Sequence, residues 1–574
     1  MKHRWMKKCG ITILLGLLIV PDRDLDAAAI VRNPPAIDVS TSLRTITTND
    51  LAGHVRVLSS DEFEGRSPGT RGEELTVNYL TSQFQRIGLK PGNPNGSYIQ
   101  EVPLMGLTTE PTISFQTRGG PITPGFPGDC VILSRRQMPE ISVADSDVVF
   151  VGHGIVAPEY DWDDYKDVDV RGKTLLMLVN DPPVPDPADS SKLDEKVFRG
   201  RGMTYYGRWT YKYEIATTKG AAAVIIVHET GPAGYPWFVV VGSNSRENMD
   251  LRASDRNLRR VPIEGWMTWE MSRQLCAAAG RNLEVLKAAA VKRDFHPVSL
   301  AAKASFTVHN SLRSIASRNV IAKIDGSDPK LKDECVIYTA HWDHIGRNSK
   351  LDGDQIFNGA KDNASGTAGL LELAEAFIKL KPAPRRTVLF LAVTAEEKGL
   401  LGAKYYATHP LYPVERTLAN INMDSINVWG KTRDIEIVGF GQNDLEDALT
   451  HYAASRGRTA RPDAQPEKGS YFRSDHFEFA KVGVPALNAG SGVDYIGRPE
   501  GWGLKRREAY TADDYHKVSD EMTSDWDLSG AVEDLQLLFE VGYAVAQGER
   551  WPRWKEGSEF RALRENKTDE SQRR

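Results

Sequence analysis

Cysteine is scarce, at 4 of 574 residues, too few to staple a chain of this length, so a disulfide scaffold is excluded. Long apolar runs are missing as well: nothing reaches the roughly 18–20 apolar residues of a membrane-spanning helix, which argues against stable membrane insertion. Nor is there an excess of positive charge. Lys and Arg number 72 against 77 Asp and Glu, a net charge of −5, whereas a general nucleic-acid binder needs a basic surface to meet phosphates. No internal repeat is visible. What is present is ordinary globular composition, 40% apolar and 26% charged, over a length that suggests two to four domains.

The N-terminus reads as a secretory signal peptide over residues 1–29. Lys2, Arg4, Lys7 and Lys8 form a basic head, Ile11 to Val20 is a short apolar stretch, and Ala27-Ala28-Ala29 offers a small-residue cleavage site. This predicts export to the periplasm or the medium. Cys9 follows two lysines rather than an apolar run and is not read as lipidated. Of the other cysteines, Cys335 opens an apolar run, and a disulfide between Cys130 and Cys276 is permitted.

Residues 49–89 read as helix, turn, helix, with Asn49 or Asp50 as the cap and Pro68 to Gly72 as the loop. Leu75, Tyr79, Leu80, Phe84 and Ile87 recur at helical spacing. Between about 131 and 300 the texture changes to buried-strand candidates at 148–151, 174–179 and 223–227, with helices at 213–219 and 268–279. This segment carries no catalytic cluster and reads as an insertion with its own small core. From 301 to about 550, strands at 320–324, 336–340, 388–394 and 418–423 alternate with helices at 367–380 and 400–407. Such alternation predicts an α/β domain with a mixed, mostly parallel sheet covered by helices on both faces. Residues 551–574 are polar and charged and read as a disordered tail.

Chemistry-bearing residues gather at the predicted strand ends, where ligands collect in such sheets. His341-Trp342-Asp343-His344-Ile345-Gly346 follows the second strand, with His341 and Asp343 two apart and hence on one side of an extended segment. Gly359-Ala360-Lys361-Asp362-Asn363-Ala364-Ser365-Gly366 precedes a helix, so Asp362 reads either as its N-cap or as a carboxylate bridging two cations. Glu396 and Glu397 repel each other unless a cation compensates; the pair reads either as a solvated turn or as one metal ligand beside one proton acceptor. Asn422-Met423-Asp424 and Tyr515-His516-Lys517-Val518-Ser519-Asp520 complete the set. Two imidazoles and several carboxylates suit zinc.

This ordered set, with Ser317-Arg318-Asn319-Val320-Ile321-Ala322 ahead of it, resembles the co-catalytic di-zinc aminopeptidase family, which includes glutamate carboxypeptidases and glutaminyl cyclases. The resemblance covers 317–547 well and 51–103 weakly, making 30–130 the first part and 301–550 the body of a zinc-exopeptidase-like fold. It implies two Zn2+ ions: His341, Asp362 and Asp424 on one, Asp362, Glu397 and His516 on the other. It further implies Glu396 as general base and Asp343 as the orienting partner of His341. Residues 131–300, with Val151-Gly152-His153-Gly154-Ile155 and Arg171-Gly172-Lys173-Thr174-Leu175, resemble a smaller α/β protease-associated domain. The activity implied is hydrolysis of N-terminal residues from peptides with a free amino terminus. The alternatives are a carboxypeptidase or glutaminyl cyclase on the same scaffold, or a non-catalytic binding protein. Oligomeric state is not indicated. Ser474-Asp475-His476 lacks a nucleophile elbow and is not read as a serine hydrolase; in relatives a similar segment lies near the pocket, so Tyr471 and Asp475 are candidate pocket residues. His344, His54, His153, His228 and His451 read as ordinary histidines.

Overall fold

The protein is described here by a computed structural model covering residues 39–565; the signal-like segment 1–29 and residues 566–574 lie outside the described residues. The strand Cys335–His341 is buried along its whole length, and its side chains alternate between two apolar layers. Val336, Tyr338 and Ala340 meet Phe377 and Leu538 from the helices Ser365–Ile378 and Ser529–Gln547. Cys335 and Ile337 face the opposite way, toward Ala403, Tyr406 and Phe479 from the helices Leu401–Thr408 and His476–Ala480. A strand covered on both faces needs apolar residues at every position, and this explains the unbroken Thr387–Val393 run beside it. Cys335–His341 pairs in parallel with Thr387–Val393 and Thr417–Asn422, and the latter pairs in parallel with Ala486–Ser491. Antiparallel partners close the arrangement, Asp434–Ile437 on one side and Val298–Ile324 on the other. The expected mixed, mostly parallel sheet covered on both faces is what the chain forms.

A second group of parallel strands, Glu140–Phe150, Thr174–Leu178, Ala223–His228 and Ile263–Thr268, carries its own pair of apolar layers. It is stitched to the first by the 27-residue strand Val298–Ile324. The start of that strand pairs with Glu140–Phe150, its middle with Ile99–Thr117 and its end with Thr387–Val393, so one 16-stranded sheet runs through both groups. The expected strand at 320–324 is only its end. Burial alternates from Leu300 to Asn310 and becomes continuous from Asn319 to Ala322, as the strand passes from a half-solvated ribbon into the doubly covered sheet.

Two expectations need correction, and one pairing left open by the sequence is answered. The helix Thr48–Leu58 is capped by Thr47, whose hydroxyl accepts from the Asp50 amide at 3.1 Å and donates to the Asp50 carboxylate at 2.7 Å; Asp50 completes the cap without being the N-cap residue. Cys130, Cys276 and Cys335 are all free and buried, so the permitted disulfide is not formed. Residues 551–565 are not a loose tail. Trp554 and Phe560 are buried with Tyr471, Phe472 and Phe477, and the Trp554 indole donates to the Gly483 carbonyl at 2.9 Å. A few aromatic anchors outweigh a polar average.

Candidate metal centre

The strands deliver the predicted residues to one place. His341 is the last residue of its strand, Glu396 and Glu397 follow Thr387–Val393, and Asp424 follows Thr417–Asn422. The chain turns sharply beside Glu396, beside Asp424 and at His516 itself: Ala395, Ser425 and His516 adopt φ of 53°, 64° and 60°, a left-handed geometry that costs a non-glycine residue roughly 1–2 kcal/mol. Asp362 does not cap the helix Ser365–Ile378, which has no side-chain cap at Ala364. Instead Asp362 and Asn363 leave helical geometry, at φ −110° and −132°, while Asn363 Oδ1 accepts from the Gly366 and Ser425 amides at 2.9 and 3.0 Å. Gly359, at φ 52°, turns where a Cβ would strike the Asp362 carbonyl and the His344 ring.

Asp362 lies between the two halves of the cluster. Its Oδ1 is 3.4 Å from His341 Nε2, and its Oδ2 is 3.3 Å from His516 Nε2. His341 Nε2 is also 3.4 Å from Asp424 Oδ1, and His516 Nε2 is 3.0 Å from Glu397 Oε2. Ligands about 2.05 Å from a tetrahedral zinc stand about 3.3 Å apart, so these spacings suit side chains around common ions. His516 Nε2 and both ring nitrogens of His344 are buried without a well-aligned hydrogen-bond partner, as nitrogens turned toward a cation would be. The donor set therefore fits a bound metal cation. His341 Nδ1 lies 3.1 Å from the Asp343 carbonyl, a bond that leaves Nε2 free to face Asp362 and Asp424.

The Asp343 carboxylate sits 3.9 Å from His341 Nδ1, but its firmer contacts are elsewhere: it accepts from the Glu396 amide at 3.0 Å and the Glu397 amide at 3.4 Å. It thus positions the turn that carries the glutamate pair. Glu396 is pushed well above the usual carboxylate range by burial, reinforced by Asp424, Glu397 and Asp475. Glu397 is also buried, but His516 and His344 hold it low. Burial alone would depress His341 and His516; the surrounding carboxylates win, raising His341 well above its usual value and His516 to about 9. Without a cation the centre is thus an electrostatic knot of carboxylates and imidazoles.

Residues 319–539 match the family model described as Peptidase family M28. They form a peptidase M28 domain. Leupeptin-inactivating enzyme 1 of Streptomyces exfoliatus is 27% identical over 210 residues, 36% of this chain and 43% of that protein. Aminopeptidase YwaD of Bacillus subtilis is 30% identical over 165 residues, 28% of this chain and 32% of that one. The matched segments thus span less than half the length of these relatives. Among solved structures, an aminopeptidase from Aneurinibacillus sp. strain AM-1 aligns over 89% of this chain and 96% of its own at 19% identity and a TM-score of 0.49.

Around the M28 domain's cluster the cleft has two lobes that share Glu396, Arg473 and Tyr515. The larger, about 270 Å³, is bordered by Asp362, Asp424 and Lys361. The smaller, about 120 Å³, is bordered by Glu397, His516 and, from the second group of strands, Arg208, Trp209 and Tyr235. Arg473 lies over the Tyr235 ring at 4.9 Å. Arg208 has a buried Nε without a partner, and its pKa falls to about 10 through burial, with Arg473 among the contributors.

Several residues of the M28 site escaped the sequence reading. His344 is fully buried, with Nδ1 2.7 Å from Glu397 Oε1. His344, Asp362 and Glu397 form a second group able to hold a cation, and both ring nitrogens of His344 are buried without a well-aligned hydrogen-bond partner, so His344 stands beside His516 as a candidate ligand. Asp520 accepts from the Lys361 and Asp362 amides, each at 3.0 Å. Of the two candidate pocket residues, Asp475 is buried with both oxygens unpartnered and is pushed up by burial. Tyr471 faces neither lobe and packs among Phe472, Phe477 and Phe560. His54, His153 and His228 lie away from the centre, bonded to Tyr79 and to the Asn180 and Tyr235 carbonyls; His451 packs on Tyr452.

Proposed function

We propose that the protein is an exported zinc exopeptidase that removes residues from the amino end of peptides. His341, Asp362 and Asp424 would hold one ion, and Asp362, Glu397 and His516 the other. Bound there, zinc supplies Lewis-acid polarisation of a peptide carbonyl. The chain does the rest. Glu396 lines both lobes, so it can take a proton from the attacking water on one side of the scissile bond and return it to the leaving amine on the other. Asp343 holds the Glu396 and Glu397 amides and so fixes where that carboxylate points. The observation that carries the amino-end reading is the pair Asp362 and Asp424 bordering the larger lobe, where a free α-ammonium gains charge-assisted contacts. Export rests on the basic head, apolar stretch and alanine triplet of residues 1–29; among the described residues no helix is long and apolar enough to cross a membrane.

One observation favours a second reading. Arg208 and Arg473 meet at the smaller lobe, and guanidinium groups recognise carboxylates, so removal from the carboxyl end is the competing activity. A panel of short peptides with free or acetylated amines, read by mass spectrometry, separates the two. The proposal expects loss from the amino end and at least about 100-fold slower cleavage of acetylated peptides, the cost of a charge-assisted contact near 3 kcal/mol. Sequential loss from the carboxyl end would replace it with the second reading.

A further inference from the structure

A cavity larger than either lobe of the cleft lies behind the loop that carries the glutamate pair. It measures about 450 Å³ and opens between the helix Trp209–Thr218 and the M28 domain, within the range of small-molecule sites. Its walls combine aromatic rings, Trp209 and Tyr213 on one side with Phe472 and Phe477 on the other, and a set of cationic side chains. The carboxylates on these walls are already answered. Glu214 accepts from the Tyr205 hydroxyl at 2.7 Å, Asp250 meets Arg260 at 2.6 Å, and Glu478 meets Lys481 at 2.5 Å. Three cations have no such answer, the Arg208 guanidinium lying instead over the Trp209 ring at 5.0 Å. Arg208 and Lys398, which also border the smaller lobe of the cleft, and Lys404 have no carboxylate within ion-pair distance among the described residues, and the Arg208 Nε is buried without any partner.

Burying a guanidinium nitrogen unpaired is costly, and native structures rarely leave such a group unanswered. Aromatic walls with unanswered cations call for a ligand of matching character. We propose that this cavity is a second ligand site, for a small organic carboxylate with an aromatic or apolar body. The ligand sits against the Lys398–Leu401 wall, whose other side is the Glu396–Glu397 turn. Two sources share this chemistry: a free organic acid, and the carboxyl-terminal residue of a peptide whose other end lies in the cleft. The first stands independently of the peptidase reading; the second rests on it.

The test uses the zinc-loaded full chain with two probes. 3-Phenylpropionate and its uncharged amide are titrated by calorimetry, and 3-phenylpropionate is also added to turnover of an aminoacyl anilide. Peptides of two to six residues, with free or amidated carboxyl ends, are compared in KM. Lys404→Glu, at a position away from the metal cluster, reverses one charge of the cavity, and Thr210→Trp fills it. The proposal expects 3-phenylpropionate to bind in the millimolar range or tighter, at least about tenfold tighter than the amide, as a charged contact requires. Both variants should abolish that preference while leaving zinc content unchanged. If the acid acts non-competitively against the anilide, the free-acid source holds. If amidation raises KM at least about tenfold for the longer peptides, and Lys404→Glu removes the difference, the peptide end is the source. Equal binding of acid and amide with no effect of amidation on KM, or a preference that survives both variants, overturns the proposal. A chain that binds 3-phenylpropionate in this way but cleaves no peptide would sink the peptidase reading and leave this site standing.

Discussion

Glu396 and Glu397 share a peptide bond yet are held in opposite states, the first raised by burial and neighbouring carboxylates, the second lowered by His516 and His344. Glu396 borders both lobes of the cleft, so Glu396→Gln should lower turnover by at least about two orders of magnitude while keeping metal content, as loss of a proton acceptor does; side-by-side kinetics and metal analysis check both. A second carboxylate tests the electrostatics away from the site. Glu372, raised from 4.5 to about 8 chiefly by burial, is more easily protonated folded than unfolded. Its contribution to stability is thus complete below pH 4.5 and is lost as pH rises toward 8, at no more than about 1.4 kcal/mol per pH unit. Melting curves should show the wild type losing ground to Glu372→Gln between pH 5 and pH 8, and parallel curves would contradict this. The motifs at His341, Glu396–Glu397 and Asp424 were legible as residues because each stands at the end of an apolar strand. His344 was not, since a histidine's tertiary partner, here Glu397, leaves no trace in local spacing.

At the scale of elements, the loops of the centre are held from an unexpected quarter. Arg66, 1% exposed, donates to the carbonyls of Leu58, Trp342, Asn358 and Gly359 at 2.6–2.9 Å. It thereby ties the loop after His341 to the loop before Asp362. Four carbonyls losing charged donors cost stability, and the two loops lose their common anchor. Arg66→Lys should weaken zinc affinity at least about tenfold in competition with a fluorescent chelator, and Arg66→Met more; unchanged affinity in folded variants would refute the clamp. Most strands and helices of the sheet could be read from the sequence, because burial on two faces writes unbroken apolar runs. The long strand Val298–Ile324 could not, because its middle pairs as an exposed ribbon and has alternating polar residues. Nor could the Thr47 cap, which depends on where the first helical turn begins.

For the whole molecule, carboxylates crowded around His341 and His516 imply that metal binding and folding are linked. A strong chelator should lower Tm and abolish activity, and zinc should restore both; a Tm indifferent to chelator would separate the cluster from the fold's stability. The sequence showed two groups of strands but not that a single sheet joins them, nor that Arg208 from the second group reaches the cleft of the first, since neither contact is local. The central claim is a pair of metal sites sharing Asp362. Its most direct measurement is zinc content after equilibrium dialysis of the wild type, His516→Ala and Asp362→Ala. The account predicts about two ions for the wild type, close to one when His516 is removed, and weakened binding at both sites when Asp362 is removed. A wild type that holds no zinc, or an Asp362→Ala variant that retains both ions at full affinity, would contradict it.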